Sequence, residues 1–503
     1  MRLQVARRVA LVLTVAFVLN AQALLAQDAG QVLSLSVSFT TLKNSTTVTA
    51  PTKAEVDALE AKARQASRDR NYGDAMRHYF HAMTLLRDQA WTPARALTNA
   101  LRVKADRLIY DPGDAVHLEL SQIFALEEPI KGTLSGSVWL MKTVDRRQVS
   151  VQELKKVADV PSSFLEKPYT FDLTAPTVDD GSYQLTVTVT ATSSEEPITK
   201  STPIQIARGV MTAANDVRRK LLMTGAALSA NNKADGLRWM AAPEYAVTMI
   251  DLANKGAINV NQLDMKGELA NAASLLDQLA KGENPLQSKR GDFHWAYRST
   301  VDKELQPYRV YVPTTFDPSK TYPLIVALHG MNGDENGMFT NYGDGIIKRE
   351  AEARGYIVVC PKGRAPTSMY RGDAEKDVVD VLAEMKRDYK IDANRVYLMG
   401  HSMGGYGTWS VAMAYPDVFA AIAPISGGGT PAGLTKIAHI PEFVVHGDTD
   451  PTVNVSQSRA MVEAAKKLGI ELQYVEVPGG THGSVVVPNI PSIFDWFDSH
   501  KKP

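Results

Sequence analysis

From Gly291 onward the chain alternates short apolar runs with amphipathic stretches, and this rhythm constrains its fold more than any other feature. PYRVYVPTTF, YPLIVALHG, YIVVCPKG, RVYLMG, AAIAPISG, EFVVHG and ELQYVEVP are short apolar runs bounded by Gly or Pro. Between them lie GIIKREAEARG, AEKDVVDVLAEMKRDY, GYGTWSVAMAY and SQSRAMVEAAKKLG, whose composition is helical. Strands without clean alternation, separated by amphipathic helices, predict an α/β domain over 289–503. Its sheet is expected to be mostly parallel and doubly wound, with both faces covered. In such sheets the active site forms at the carboxyl ends of the strands, so the chemistry is expected in the turns after those runs.

The residues before it read differently. Residues 27–51 are rich in Ser, Thr and Val and suggest a strand or linker, and from Lys53 to about Leu101 the composition is helical. Together, 27–102 are expected to form a linker and a helical hairpin. Over 103–207, VHLEL, GSVWL, YTFDL and SYQLTVTVTA alternate or run with β-branched residues and are separated by turn signals, as in a β-sandwich. Helical composition returns over 208–288, read as a connector. Spacings around Tyr72, Ala75, Tyr79 and Ala82 resemble one tetratricopeptide unit, but no second copy follows to stack on it.

Residues 1–26 have the anatomy of a secretory signal. Arg2, Arg7 and Arg8 precede the apolar run Val9–Leu19, and small residues follow, allowing cleavage after Ala23 or Ala26. Asn20 and Gln22 interrupt the run short of a spanning length, and no other segment is apolar enough to cross a bilayer. An exported protein, secreted or periplasmic and free of the membrane after cleavage, is expected. Lys+Arg and Asp+Glu balance at 55 each, which leaves no net field for a polyphosphate and makes a nucleic-acid partner unexpected. A single cysteine, Cys360, excludes an internal disulfide framework and cysteine-rich metal sites.

The turn after RVYLMG reads Gly400-His401-Ser402-Met403-Gly404. Gly-x-Ser-x-Gly lets a strand reverse sharply into a helix with the serine hydroxyl exposed, the glycines removing Cβ atoms that would collide with strand and helix. The string alone is weak; an apolar strand before it and a helix former after it supply the context. A serine hydroxyl needs an adjacent base, and in this arrangement the chain order is nucleophile, acid, histidine. Only His482 and His500 follow the candidate acids, and His482, in the polar turn GGTHGS, suits the base, whereas His500 ends a C-terminal helix. Asp448 and Asp450 alone fall in a turn directly after a core-like strand. Asp450 is favoured for reaching further towards the histidine loop, and Asp448 remains open, since either suits an Asx turn. The oxyanion donors are expected to be the main-chain N–H groups of Met403 and of Met331, after His329-Gly330.

HGMNGDEN, GHSMGGYGTW, HGDTDPTV and THGS resemble the α/β-hydrolase superfamily, most of all secreted esterases of the feruloyl-esterase and polyhydroxybutyrate-depolymerase-like group. The resemblance covers Gly291–Pro503 only. It implies a carboxylic-ester hydrolase working through an acyl-serine without cofactor or metal, with Ser402, Asp450 and His482 in the matching positions. The implied substrates are hydroxycinnamoyl or acetyl esters of plant polysaccharides. Alternatives are a prolyl-oligopeptidase-like serine peptidase, a polyester depolymerase, and a cell-surface binding protein with a vestigial hydrolase domain. Residues 103–207 show none of the blade repeat that the peptidase architecture resembles.

Other signals carry less. His78 and His81 share a helix face without a third ligand, and the glycines at 330, 333 and 337 lack the Lys-Ser/Thr of a phosphate cradle. Trp409, Tyr406 and Tyr370 suit either an acyl pocket or the core. Asp373 and Asp377 read as acidic residues favoured at a helix N-terminus.

Overall fold

The structure, a computed structural model, describes residues 29–192, 196–258, 260 and 263–503. The signal-like segment 1–26 lies outside the described residues. The chain divides into two compact units. One comprises residues up to Gly209 with Asp251–Leu263, and the other Val210–Ile250 with Asp264–Pro503.

The first unit opens with helices α1 (29–45), α2 (Ala50–Arg68), α3 (Tyr72–Leu86) and α4 (Pro93–Ala100). The helical α1 corrects the strand or linker expected there. Its β-branched and hydroxyl residues favour extended backbone when isolated. Here Val32 and Phe39 are buried with Val56, Leu59, Tyr79 and Met83 of the neighbouring helices, and that packing overrides propensity. The hydroxyls of Ser36, Ser38 and Thr40 turn back onto carbonyls three or four residues earlier, so they do not compete with the helix from outside.

Two sheets follow. β1 (Leu101–Ala105), β3 (Ala115–Gln122) and β6 (Tyr169–Thr174) form one. β2 (Ile109–Tyr110), β8 (Ile198–Ile206), β7 (Gly181–Ala191), β4 (Leu134–Val144) and β5 (Arg147–Val160) form the other, in that order. Alternate residues are buried, Val116, Leu118 and Leu120 in β3 and Tyr183, Leu185, Val187 and Val189 in β7, as sandwich strands require. β5, on the sheet edge, is nearly all exposed, with Val149 at 47% and Val151 at 43%.

The second unit begins with α5 (Val210–Ala230), α6 (Ala234–Trp239), the part of α7 (Ala241–Asn254) up to Ile250, and α8 (Met265–Ala280). An eight-stranded sheet follows. Its strands are β9 (Gly291–Arg298), β10 (Leu305–Val312), β11 (Tyr322–Leu328), β12 (Ile357–Pro361), β13 (Ile391–His401), β14 (Ala421–Ile425), β15 (Glu442–Gly447) and β16 (Leu472–Val477). The spatial order is β16-β15-β14-β13-β11-β12-β10-β9. β10 runs antiparallel to β9 and β12, and the remaining pairs are parallel.

Strand alternation splits the core in two. Leu324, Val326 and Leu328 of β11 face a cluster with α11 (Asp373–Asp388), α12 (Met403–Ala414) and α13 (Ser456–Lys467). Ile325 and Ala327 face the other, with α9 (Gly337–Thr340), α10 (Ile346–Arg354) and α14 (Val486–Ser499). Both faces are therefore covered, which is why these strands read as continuous apolar runs. Leu228, Ala242, Leu275 and Leu279 from the preceding helices join the first cluster. Of the residues read as a connector, 210–250 and 264–288 thus belong to this unit.

Candidate active site

The turn between β13 and α12 holds Ser402 at φ 58°, ψ −117°, a conformation costly for a residue with a side chain. Its N–H donates to the Ile425 carbonyl at 2.9 Å, pinning the turn to β14. A Cβ at Gly404 would lie 2.1 Å from the Leu328 carbonyl oxygen, and one at Gly400 would lie 2.4 Å from that of Gly404. No side chain fits at either place, so strand and helix meet only because both are glycine.

Ser402 Oγ lies 2.8 Å from His482 Nε2, and His482 Nδ1 lies 2.7 Å from Asp450 Oδ2. The three residues chosen from the sequence are brought together. Asp448 is turned elsewhere and accepts from the Gly479 N–H at 2.7 Å, a turn-holding bond. Asp450 Oδ1 accepts from the N–H groups of Thr452 and Val453 at 2.8 and 2.9 Å. Its side chain is wholly buried. Burial alone would raise its pKa, but hydrogen bonds from His446, His482 and Val453 hold it well below the usual carboxylate range.

Met403 opens α12, so its N–H has no acceptor within the helix. A Cβ at Gly330 would lie 3.5 Å from Ser402 Cβ, so the main chain entering Met331 runs against the serine. Met331 and Met403 therefore both adjoin the main chain around Ser402, and stabilising an oxyanion there would require two such N–H donors. His329 is buried and acts on the loop: its Nδ1 and Nε2 lie 2.8 Å and 2.7 Å from the carbonyls of Gly330 and Lys362.

Several neighbours were not foreseen. His446 Nε2 lies 2.9 Å from the Val453 carbonyl and 3.3 Å from Asp450 Oδ2, while its Nδ1 meets Ser458 Oγ at 2.7 Å. His401 Nε2 lies 2.8 Å from the His482 carbonyl, and Ser426 Oγ donates to the same oxygen at 3.2 Å. Both histidines stand inside the motifs already singled out, next to the chosen serine and four residues before the chosen acid. That proximity was the available signal. Of the aromatic candidates, Trp409 and Tyr370 are fully buried core residues, and Tyr406 is half-buried.

Asp377 also differs from its reading as a helix-end charge. It is only 2% exposed and accepts from Tyr297 Oη and the Arg364 guanidinium, beside Ser299. This cluster anchors the loop after β12. That loop in turn supplies the Lys362 carbonyl to His329 and the Pro366 carbonyl to the Asn332 N–H.

Chemically, the chain from carboxylate to imidazole to hydroxyl is a path for moving a proton off Ser402. In such a series a buried carboxylate can fix the imidazole and offset the positive charge it would acquire. Elbow, sheet order and covering helices give residues 291–503 the α/β-hydrolase fold. Residues 303–466 match the sequence family described as "Putative esterase", about a third of the chain.

The chain is also similar to curated proteins. Over 151 residues the chain is 34% identical to a bifunctional acetylxylan esterase/xylanase of Neocallimastix patriciarum, covering 29% of this chain and 22% of that protein. Over 188 residues it is 28% identical to a "Probable feruloyl esterase C" of Aspergillus oryzae, covering 35% of this chain and 68% of that one. A poly(3-hydroxyalkanoate) depolymerase C of Paucimonas lemoignei is 32% identical over 115 residues, 20% of this chain and 28% of the relative. The chain thus spans about a fifth of the first relative's length and just over two thirds of the second's.

Proposed function

We propose that the protein is an exported serine hydrolase of carboxylic esters, acting on hydroxycinnamoyl or acetyl groups of plant polysaccharides. The single observation that carries this reading is the hydrogen-bonded series Asp450–His482–Ser402 at the carboxyl edge of the sheet. Ser402 Oγ attacks the ester carbonyl carbon while His482 Nε2 takes its proton. The oxygen that becomes negative rests on the N–H groups of Met331 and Met403. When the C–O bond to the alcohol breaks, His482 returns the proton to the leaving oxygen. Water then attacks the acyl-serine by the same route and frees the acid. No cofactor or metal enters these steps.

The polysaccharide-ester substrate is supported by the names of the acetylxylan and feruloyl esterase relatives, and export by the basic, apolar and small-residue order of residues 1–26. The test is a panel of aryl esters, feruloyl esters, acetylated xylan, a polyhydroxyalkanoate film and peptide amides. It is run beside labelling by a serine-directed phosphonate in the wild type and in Ser402→Ala. Feruloyl or acetyl ester turnover without amide turnover, and labelling lost in Ser402→Ala, is the expected result. Amide turnover would favour the peptidase reading, film hydrolysis the depolymerase reading, and a folded protein that takes no label the binding-protein reading. Sequencing the N-terminus of the mature protein tests cleavage after Ala23 or Ala26.

A further inference from the structure

We propose that the helices preceding the hydrolase sheet are a working part of its active site. In this inference Tyr245 of α7, through Glu335, and Glu268 of α8, through His294 and Asn336, are positioning residues for the loop that carries the Met331 N–H. The inference rests on the esterase reading above.

The loop from His329 to Gly337 is held at both ends. At its start His329 and Asn332 bind carbonyls of the β12 loop. At its far end strand residues and the preceding helices both hold it, the helices through Tyr245 directly and through Glu268 by way of His294 of β9. Glu335 is 3% exposed, and Tyr245 Oη donates to its Oε1 at 2.8 Å. Asn336 Oδ1 accepts from Arg309 Nη1 at 2.8 Å and from His294 Nε2 at 2.7 Å. His294 Nδ1 in turn lies 2.7 Å from Glu268 Oε1. Both His294 nitrogens face acceptors, so both carry protons, and Glu268 matches the resulting charge. Burial opposes that charge, but the bonds to Glu268 and Asn336 prevail and raise the His294 pKa.

A displacement at 335–336 has little room to be absorbed before it reaches Met331. The Gly333 N–H bonds back to the Gly330 carbonyl at 3.1 Å. A Cβ at Gly333 would lie 2.9 Å from His329 Nδ1 and one at Gly337 3.0 Å from His329 Cβ, so the loop is packed onto that side chain. An oxyanion donor works only within a few tenths of an ångström of its place, and a misplacement of about 1 Å costs roughly a hundredfold in rate.

The test uses the full chain. Tyr245→Phe and Glu268→Gln are compared with the wild type for kcat and KM on p-nitrophenyl acetate, for the rate of phosphonate labelling, and for thermal unfolding. We expect kcat and the labelling rate to fall together by about tenfold or more, with KM within about twofold. Glu335→Gln keeps an acceptor for Tyr245 and is expected to retain most turnover, whereas Glu335→Ala loses it. This pair decides the matter if Tyr245→Phe does not fold. Unchanged kcat and labelling in Tyr245→Phe, or equal turnover in the two Glu335 variants, would overturn the inference while leaving the esterase reading intact. Turnover that survives Ser402→Ala, or a wild type that is neither labelled nor active, would defeat the esterase reading and this inference with it.

Discussion

His401 holds the main chain of His482: its Nε2 stands 2.8 Å from the His482 carbonyl oxygen, while Tyr342 Oη lies 2.7 Å from its Nδ1. The residue before Ser402 thus fixes the loop that bears His482. Burial, and next the neighbouring His482, push the His401 pKa down to about 4. The ring is therefore neutral, donating from Nε2 and accepting at Nδ1. Replacing it with alanine frees the His482 loop but leaves the Ser426 bond. We expect His401→Ala to lower kcat by about tenfold with little change in KM. The double variant with Ser426→Ala should lose more than the two single losses combined, because the first removal leaves the second bond as the only restraint. Steady-state kinetics on one aryl ester checks both.

The two aspartates of the β15 turn should separate sharply. Asp450→Asn keeps the shape but removes the charge that orients His482 and supports the imidazolium, so kcat is expected to fall by about 10⁴-fold. Asp448→Asn touches only the bond to Gly479 and should leave kcat within about twofold, a surface change of the ordinary size. A comparable loss in both variants would show that the turn, rather than the carboxylate, matters.

Much of this arrangement could be read in the sequence because its causes are local. The elbow needs glycine at 400 and 404 for steric reasons that act within a few residues, and the strands between Tyr322 and Val477 are apolar because both faces of the sheet are covered. Where the cause is tertiary, the reading failed or fell silent. Nothing in the Ser/Thr/Val-rich start reveals that Val32 and Phe39 will meet neighbouring helices. β5 was not read from the sequence: its apolar alternation is confined to the exposed Val149 and Val151, and charged residues interrupt the pattern beyond them. The partners of the site were hidden for the same reason. Tyr245 meets Glu335 across 90 positions, and Arg364 meets a buried Asp377 that composition alone assigns to a helix end.

That Arg364–Asp377 pair should matter twice. Removing Arg364 leaves a buried carboxylate with only Tyr297 and Ser299 beside it, and breaking such a pair typically costs about 3–5 kcal/mol. Arg364→Ala should therefore lower the unfolding midpoint in denaturant. Activity should fall more steeply than the folded fraction, since the same loop supports His329 and Asn332. The double change Arg364→Met/Asp377→Leu removes the stranded charge and should recover stability, measured by urea unfolding, without fully restoring turnover.

Glu442 lies at the start of β15, fully buried, with Trp409 Nε1 3.1 Å from one carboxyl oxygen and no hydrogen-bond partner for the other among the described residues. Burial raises its pKa to about 7, only partly offset by Trp409. Between the ordinary carboxylate value and 7 the folded chain binds a proton that the unfolded chain has released, so this group makes stability fall as pH rises through that window. His401 acts in the opposite sense: with a pKa of about 4 against 6.5 when exposed, it makes stability rise with pH over much of the same range. The two contributions largely cancel in the wild type between about pH 4.5 and 6.5, each worth roughly 3 kcal/mol in full. Glu442→Gln keeps the acceptor for Trp409 and removes one side of that balance. Its stability relative to the wild type should be near zero difference at pH 4.5 and grow to a gain of about 3 kcal/mol by pH 8. Urea unfolding of both proteins across that range checks it, and a difference that does not change with pH would mean that Glu442 is already ionised in the folded chain.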